Sequence, residues 1–315
     1  MTSAYSVSMD SEIRTHVLRS LALNRAAGYH FTGNFLNLSH DCVSAENART
    51  SMHVGPHCAE ENGNLNYGAV AVFADLSVAA NVRAGHDLAT RLATVSMNMN
   101  FTGAPITGRI EASTCLQGYL VNSAGRQGAG EFTLSANGQR ICFGNATFMV
   151  LAPPEGMTLY ARQLRREQDA EVAPLLENDL VGDEHTILRC ADDAIAARET
   201  GAFIHGFWNI STQQLPNGAA GELKNGPQVS NRVGHVQGGI TMGLGIATAE
   251  VALSAKWMLS AVSAWFISPC EGQFIKSRSK IIHQGRLTSV VRTQITGQGR
   301  RRVMEMVTTH AHRLA

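Results

Sequence analysis

The chain carries no excess of either charge. Its 26 lysines and arginines stand against 25 acidic residues, a formal net charge of +1. That balance gives no footing to a protein that coats nucleic acid or another polyanion. A long uncharged run is also missing. The longest weakly charged stretch, residues 238–269, is broken by Glu250 and Lys256 and is rich in glycine and small side chains. It reads as a buried helix and strand, and not as a membrane span. No cysteines stand at paired spacing: Cys42, Cys58, Cys115, Cys142, Cys190 and Cys270 are scattered, which predicts reduced thiols and a cytoplasmic protein. Asp10, Glu12 and Arg14 interrupt the start, so no signal peptide is expected. Neither a Gly-x-Ser-x-Gly elbow nor a Walker phosphate loop occurs.

What is present is a globular composition, 44% hydrophobic and 16% charged, over 315 residues. That length accommodates two ordinary domains. The sequence in fact states one pattern twice. Phe35-Leu36-Asn37-Leu38-Ser39 is matched by Phe207-Trp208-Asn209-Ile210-Ser211. Asn66-Tyr67-Gly68, six residues and Asp75 are matched by Gln237-Gly238-Gly239, six residues and Ile246. Phe101…Pro105 and Phe266…Pro269 follow, then Gly125-Arg126 and Gly285-Arg286. A repeat of this length implies two copies of one fold packed together.

Hydrophobic periodicity predicts the same order of elements in each copy. In the first, a helix over 11–27 precedes strands near 31–40 and 48–54, a long apolar helix over 68–83, and strands at 94–101, 108–122, 126–136 and 140–151. Pro153-Pro154 closes this unit, and a charged linker with Arg162, Arg165, Arg166 and Glu167 follows. The second copy predicts a helix at 189–200, strands near 203–212 and 221–226, a helix at 239–257, and strands at 259–267, 273–283, 286–296 and 301–310. Domains of 1–156 and 185–315 with a linker of 157–184 result. A long apolar helix must bury nearly all its faces, so a sheet curved around it, in the α+β class, is the expected solution. Exposed sheet edges of the two units could pair into one continuous sheet.

Asp75 is the only charged side chain between Gly63 and Val82. A carboxylate on a buried helix is costly unless hydrogen-bonded or functional, and desolvation raises its pKa. It could also simply pair with an arginine or tie down a loop. The run Asn231 to Gln237 leads into Gly238-Gly239 at the start of a helix, where outward-pointing amides can bind an oxyanion. The same glycines could serve only close packing. Lys276, Arg278 and Lys280 alternate along one strand, with Arg286 and Arg300-Arg301-Arg302 nearby. They are candidate phosphate contacts or the solvated face of a sheet. His53, His57 and Cys58 invite a metal reading. Gly55-Pro56 between the histidines rules out helical spacing, so no metal is expected.

Both halves resemble the hotdog-fold acyl-CoA thioesterases of the phenylacetate-degradation type. That family carries Asn, five residues, His-Gly-Gly, six residues, Asp, then a Ser/Thr opening the next strand, with the site shared across a dimer interface. Asn231, Gln237, Gly238 and Gly239 match in the second half, with Gln for His and Ile246 for Asp. Asp75 and Thr94 match in the first, where Glu60, Asn66, Tyr67 and Gly68 replace the rest. The resemblance implies a double hotdog, two antiparallel sheets each around a central helix, paired as a pseudo-dimer. It implies one composite site, with Asp75, Thr94, Asn231, Gln237 and Gly238 catalytic and Gly239, Lys276, Arg278 and Arg286 binding substrate. Gly238 N–H would hold the thioester carbonyl, and Asp75 would attack directly or activate water. The reciprocal site is expected to lack any acid or base. Acyl-CoA is the implied substrate, no cofactor is needed, and further homo-oligomerisation is expected. A non-catalytic acyl-thioester binder and an enoyl-CoA hydratase or dehydratase are the rival readings.

Overall fold

A computed structural model describes residues 3–87, 89–120, 126–166, 172–198 and 202–313. Gly125 and Glu167 of the sequence pattern lie outside the described residues. Helix α1 (Ser3–Asn24) is followed by α2 (Phe31–Phe35), strands β1 (Ser39–Val43) and β2 (Asn47–His53), and the long helix α3 (Tyr67–Ala84). Strands β3 (Arg91–Phe101), β4 (Arg109–Tyr119), β5 (Gln127–Ala136) and β6 (Gln139–Leu151) complete the first half. The second half repeats this order with α4 (Asp183–Ala196), α5 (Phe203–Phe207), β7 (Ile210–Leu215), β8 (Gly218–Lys224) and α6 (Gly238–Ala252). Its last strands are β9 (Trp257–Phe266), β10 (Phe274–Gln284), β11 (Thr288–Thr296) and β12 (Arg302–His312).

All twelve strands form one antiparallel sheet, in the order β1-β2-β4-β5-β6-β3-β9-β12-β11-β10-β8-β7. The halves meet where β3 pairs with β9, with Met97 opposite Ala264 and Met99 opposite Val262. Each strand turns one face to the helices and the other to water, so burial alternates along β4 and β10. Helices α3 and α6 pack directly together. A Cβ on Gly68 would lie 2.9 Å from the Gly243 Cα, and one on Gly239 would lie 2.5 Å from the Val72 N. Glycine at these positions permits contact of backbone with backbone.

The starts of α3 and α6 are built alike. A short bridge, Ala59 to Leu65 or Ser230 to Val236, encloses a glycine at positive φ, Gly63 (78°) or Gly234 (81°). The next polar side chain then caps the helix: Asn66 Oδ1 accepts from Ala69 N–H at 3.1 Å, and Gln237 Oε1 accepts from Ile240 N–H at 3.0 Å.

Two expected strands differ. Residues 31–35 and 203–207 are short helices, and strand begins only at Ser39 and Ile210. Asn37 (φ 53°) and Asn209 (φ 52°) occupy the left-handed region that asparagine tolerates, reversing the chain from helix into strand. The segment after Pro154 is laid over the first half in the manner of a strap. Gln163 N–H donates to Gly28 O, His40 N–H to Arg165 O and Leu175 N–H to Leu18 O.

Candidate active site

Asp75 lies midway along α3 and is 6% exposed. Its Oδ1 accepts from Thr94 Oγ1 at 2.8 Å, within the first half. Its Oδ2 accepts from Gln237 Nε2 at 2.7 Å, from the second half. Burial pushes the Asp75 carboxyl from 3.8 up to about 6, while the Thr94 hydrogen bond, the Arg83 charge, the Gln237 hydrogen bond and the Arg162 charge hold it down. The carboxyl is therefore mostly ionised at neutral pH and more basic than an ordinary aspartate.

Thr94 reaches Asp75 because β3 bulges beside it: the register against β6 shifts between Thr94 and Ser96. A bulge re-aims side chains, and here both Thr94 and Val95 line one cavity of about 350 Å³ together with Asp75, Asn231, Gln237 and Gly238. Gly238 opens α6, and a Cβ there would meet Phe266 at 3.1 Å and Thr94 Oγ1 at 3.5 Å. As the first helical residue its N–H has no intrahelical acceptor. Asn231 Oδ1 accepts from Val233 N–H (3.0 Å) and His235 N–H (3.2 Å), fixing the loop that delivers Gln237 to the cavity.

The other proposed binding residues are not brought together with these. Gly239 is buried against the α3 backbone at Val72 and does not line the cavity. Lys276 and Arg278 stand on the exposed face of β10, Lys276 within 3.5 Å of Glu222, and Arg286 lies beyond the end of that strand. None of the three lines the cavity. Strand alternation, which sends every second side chain to water, accounts for their spacing.

The reciprocal position is not devoid of acids and bases. Asn66 Nδ2 donates to Glu60 Oε1, and His205 Nε2 lies 3.2 Å from the same oxygen. Glu250, exposed and one turn beyond Ile246, is electrostatically coupled to both Glu60 and His205. Glu250 and His205 stand outside the repeat's short motifs, so aligning those motifs alone does not reveal them. His57, meanwhile, is buried and stacked on His16 at 3.9 Å, and Cys58 is buried at a Gly55 turn.

Cations in the cavity also escape the sequence reading. Arg83, Arg91, Arg162 and Arg232 line it, and among the described residues Asp75 is the one acid that does. Arg83 is 9% exposed, and its pKa is lowered to about 10 by burial and the Arg232 charge, with Asp75 opposing. Burial, with the charges of Arg162, Arg83 and Arg232, keeps nearby His30 neutral. Arg83 could have been found from its spacing, two turns beyond Asp75 on one helix face. Arg162 could not, because nothing in an irregular charged segment says which way a side chain points.

No protein-family model matches the chain, and no curated protein matches it. Solved structures do. An oleoyl thioesterase from Lactobacillus plantarum, so assigned provisionally, is similar at a TM-score of 0.55 and 9% identity, over 85% of this chain and 97% of that one. The 12:0-ACP thioesterase from Umbellularia californica is similar at 0.51 and 10% identity, over 85% and 94%. A conserved protein of unknown function with a hot dog fold from Alicyclobacillus acidocaldarius is similar at 0.51 and 7% identity, over 86% and 94%. What the chain shares with them is the fold, a hotdog arrangement of antiparallel sheet and helix.

Proposed function

We propose that the chain is a double-hotdog acyl-CoA thioesterase, with hotdog units at 1–156 and 185–315 joined by residues 157–184. Its one composite site would hydrolyse an acyl thioester to the free acid and CoA. The observation that carries this reading is the Asp75 carboxylate, hydrogen-bonded by Thr94 of its own half and Gln237 of the other, inside a cavity. In the general-base route, ionised Asp75 takes a proton from water as the water oxygen bonds to the thioester carbonyl carbon. The Gly238 N–H donates to the oxyanion, and collapse of the tetrahedral intermediate expels the CoA thiolate. In the alternative route the carboxylate itself attacks the carbonyl carbon and the CoA thiolate leaves, and water then hydrolyses the mixed anhydride to the free acid and the Asp75 carboxylate.

Free-thiol release from a panel of acyl-CoAs tests the proposal. Release should be lost in Asp75→Asn and kept in Ile246→Ala. Equal rates in wild type and Asp75→Asn would remove the proposal. Hydration of an enoyl-CoA without thiol release would replace it by the hydratase reading, and binding without turnover by the binder reading.

A further inference from the structure

Arg83 stands eight residues beyond Asp75 on α3, about 12 Å along the helix at 1.5 Å per residue. It shares the cavity-facing side of α3 with Asp75 and Ala79. Two more guanidiniums join it from other segments: Arg232 from the loop before α6 and Arg162 from the strap. All three line the one cavity; burial lowers the pKa of each, the Arg232 charge lowers that of Arg83 further, and the Arg83 and Arg232 charges lower that of Arg162. Backbone carbonyls occupy some of their donors. Arg83 Nε donates to Thr90 O at 3.3 Å, while Arg232 donates to Tyr160 O at 2.9 Å and Thr90 O at 3.2 Å. Among the described residues Arg162 makes no side-chain hydrogen bond and none of the three forms an ion pair.

Tethering two carbonyls does not require three cations, and among the described residues it does not involve Arg162. Arg83 is buried and Arg162 and Arg232 are half-buried, and clustered like charges partly withdrawn from water are costly unless an anion completes them. A guanidinium presents a planar fork that matches a carboxylate. The same cavity is also lined by the apolar side chains of Leu92, Phe148 and Met149. The cavity thus combines Asp75 and Gly238, where a thioester would react, with apolar wall and a group of arginines.

We infer that the acyl group this cavity takes is a short ω-carboxyacyl chain, with its free carboxylate held by Arg83, Arg162 and Arg232. The inference rests on the thioesterase reading for the thioester end. The phosphates of CoA are a second source of anionic oxygen, and substrates of matched chain length separate the two, because both members carry the same CoA.

The test compares kcat/KM for glutaryl-CoA against pentanoyl-CoA and for adipoyl-CoA against hexanoyl-CoA. Wild type should favour the carboxylated member of at least one pair. In Arg162→Met that preference should fall about tenfold to a hundredfold, as expected for losing hydrogen bonds to a charged group. Arg83→Met supplies a second variant, and only the ratio between matched substrates is read, so general damage to the fold cancels. A wild type that favours both uncharged acyl groups overturns the inference and leaves the thioesterase proposal standing. So does an equal fall for both members of a pair, which would assign the arginines to CoA or to the strap. If no thioester is cleaved, the activity falls, and calorimetry with glutarate and pentanoate decides the cavity. Glutarate binding lost in Arg162→Met keeps the anion site; no preference for glutarate sinks it.

Discussion

Gln237 Nε2 donates to Asp75 Oδ2 at 2.7 Å, a buried bond between residues 162 positions apart that ties the two halves together. The Gln237 amide cannot turn round, because its Oε1 already accepts the Ile240 N–H at the start of α6. Its nitrogen must therefore face the carboxylate. One side chain caps the helix and orients the acid, so the geometry of Asp75 is inherited from the way α6 begins.

A pH dependence follows from the Asp75 environment. Burial raises its pKa to about 6, and the chemistry needs the ionised form. Thiol release should climb as pH rises through about 6 and level off above it, since Gln237 offers no titratable ring. A flat profile between pH 5 and 7 would count against Asp75 as base or nucleophile.

The two donors set where that limb falls. A hydrogen bond to the charged form stabilises it, so removing one raises the pKa. Thr94→Val and Gln237→Met should each move the limb upward by about one unit, the equivalent of roughly 1.4 kcal/mol. Thr94→Ser keeps the hydroxyl and should leave the limb near wild type. Limbs that do not move in either donorless variant would mean that burial alone sets the Asp75 pKa.

Asp75 should also cost the protein stability at neutral pH. Its folded pKa, about 6, lies above the 3.8 of an unperturbed aspartate. Folding therefore takes up a proton between these values, and the stability present below pH 3.8 is lost as pH rises through about 6. The displacement corresponds to about 3 kcal/mol at pH 8. Asp75→Asn removes that burden, although its amide would face the Gln237 nitrogen. A net gain of about 1–2 kcal/mol at pH 8, shrinking toward pH 4, is the expected outcome of denaturant titrations. A variant less stable than wild type at pH 8 would show that the carboxylate is well accommodated.

Much of this was legible in the residues. The apolar runs that mark α3 and α6 are legible because a helix buried on every side must be apolar throughout, and Asp75 is conspicuous against the first of them. Asn37 and Asn209 were visible as part of the repeat, but not as the positive-φ reversals that turn 31–35 and 203–207 into helix. Those five-residue apolar turns have too little sequence to separate the two periods. The Thr94 to Asp75 bond needed the bulge after Thr94, a register detail that no spacing announces. The arginines of the cavity come from a helix, a loop and a strap, and only the tertiary fold brings those three together.

Gly239 offers a test of how α3 and α6 are held. Its place beside the candidate oxyanion donor suggests a ligand contact, yet its Cα faces the α3 backbone, where an added Cβ would sit 2.5 Å from both Val72 N and Val72 Cα. Backbone atoms inside two packed helices cannot swing aside as a side-chain tip can, so the helices must part. Gly239→Ala should therefore destabilise the protein by about 1–3 kcal/mol, the usual cost of overpacking. The displacement would also lengthen the Gln237 to Asp75 bond, so thiol release should fall with stability. Gly33→Ala, whose Cβ would meet only Leu76 Cδ1 at an ordinary 3.6 Å, is the matched control and should stay within about 0.5 kcal/mol of wild type. Thermal or denaturant unfolding of the two variants decides the matter: equal stability in both would mean that the helix contact at Gly239 is loose enough to admit a methyl group.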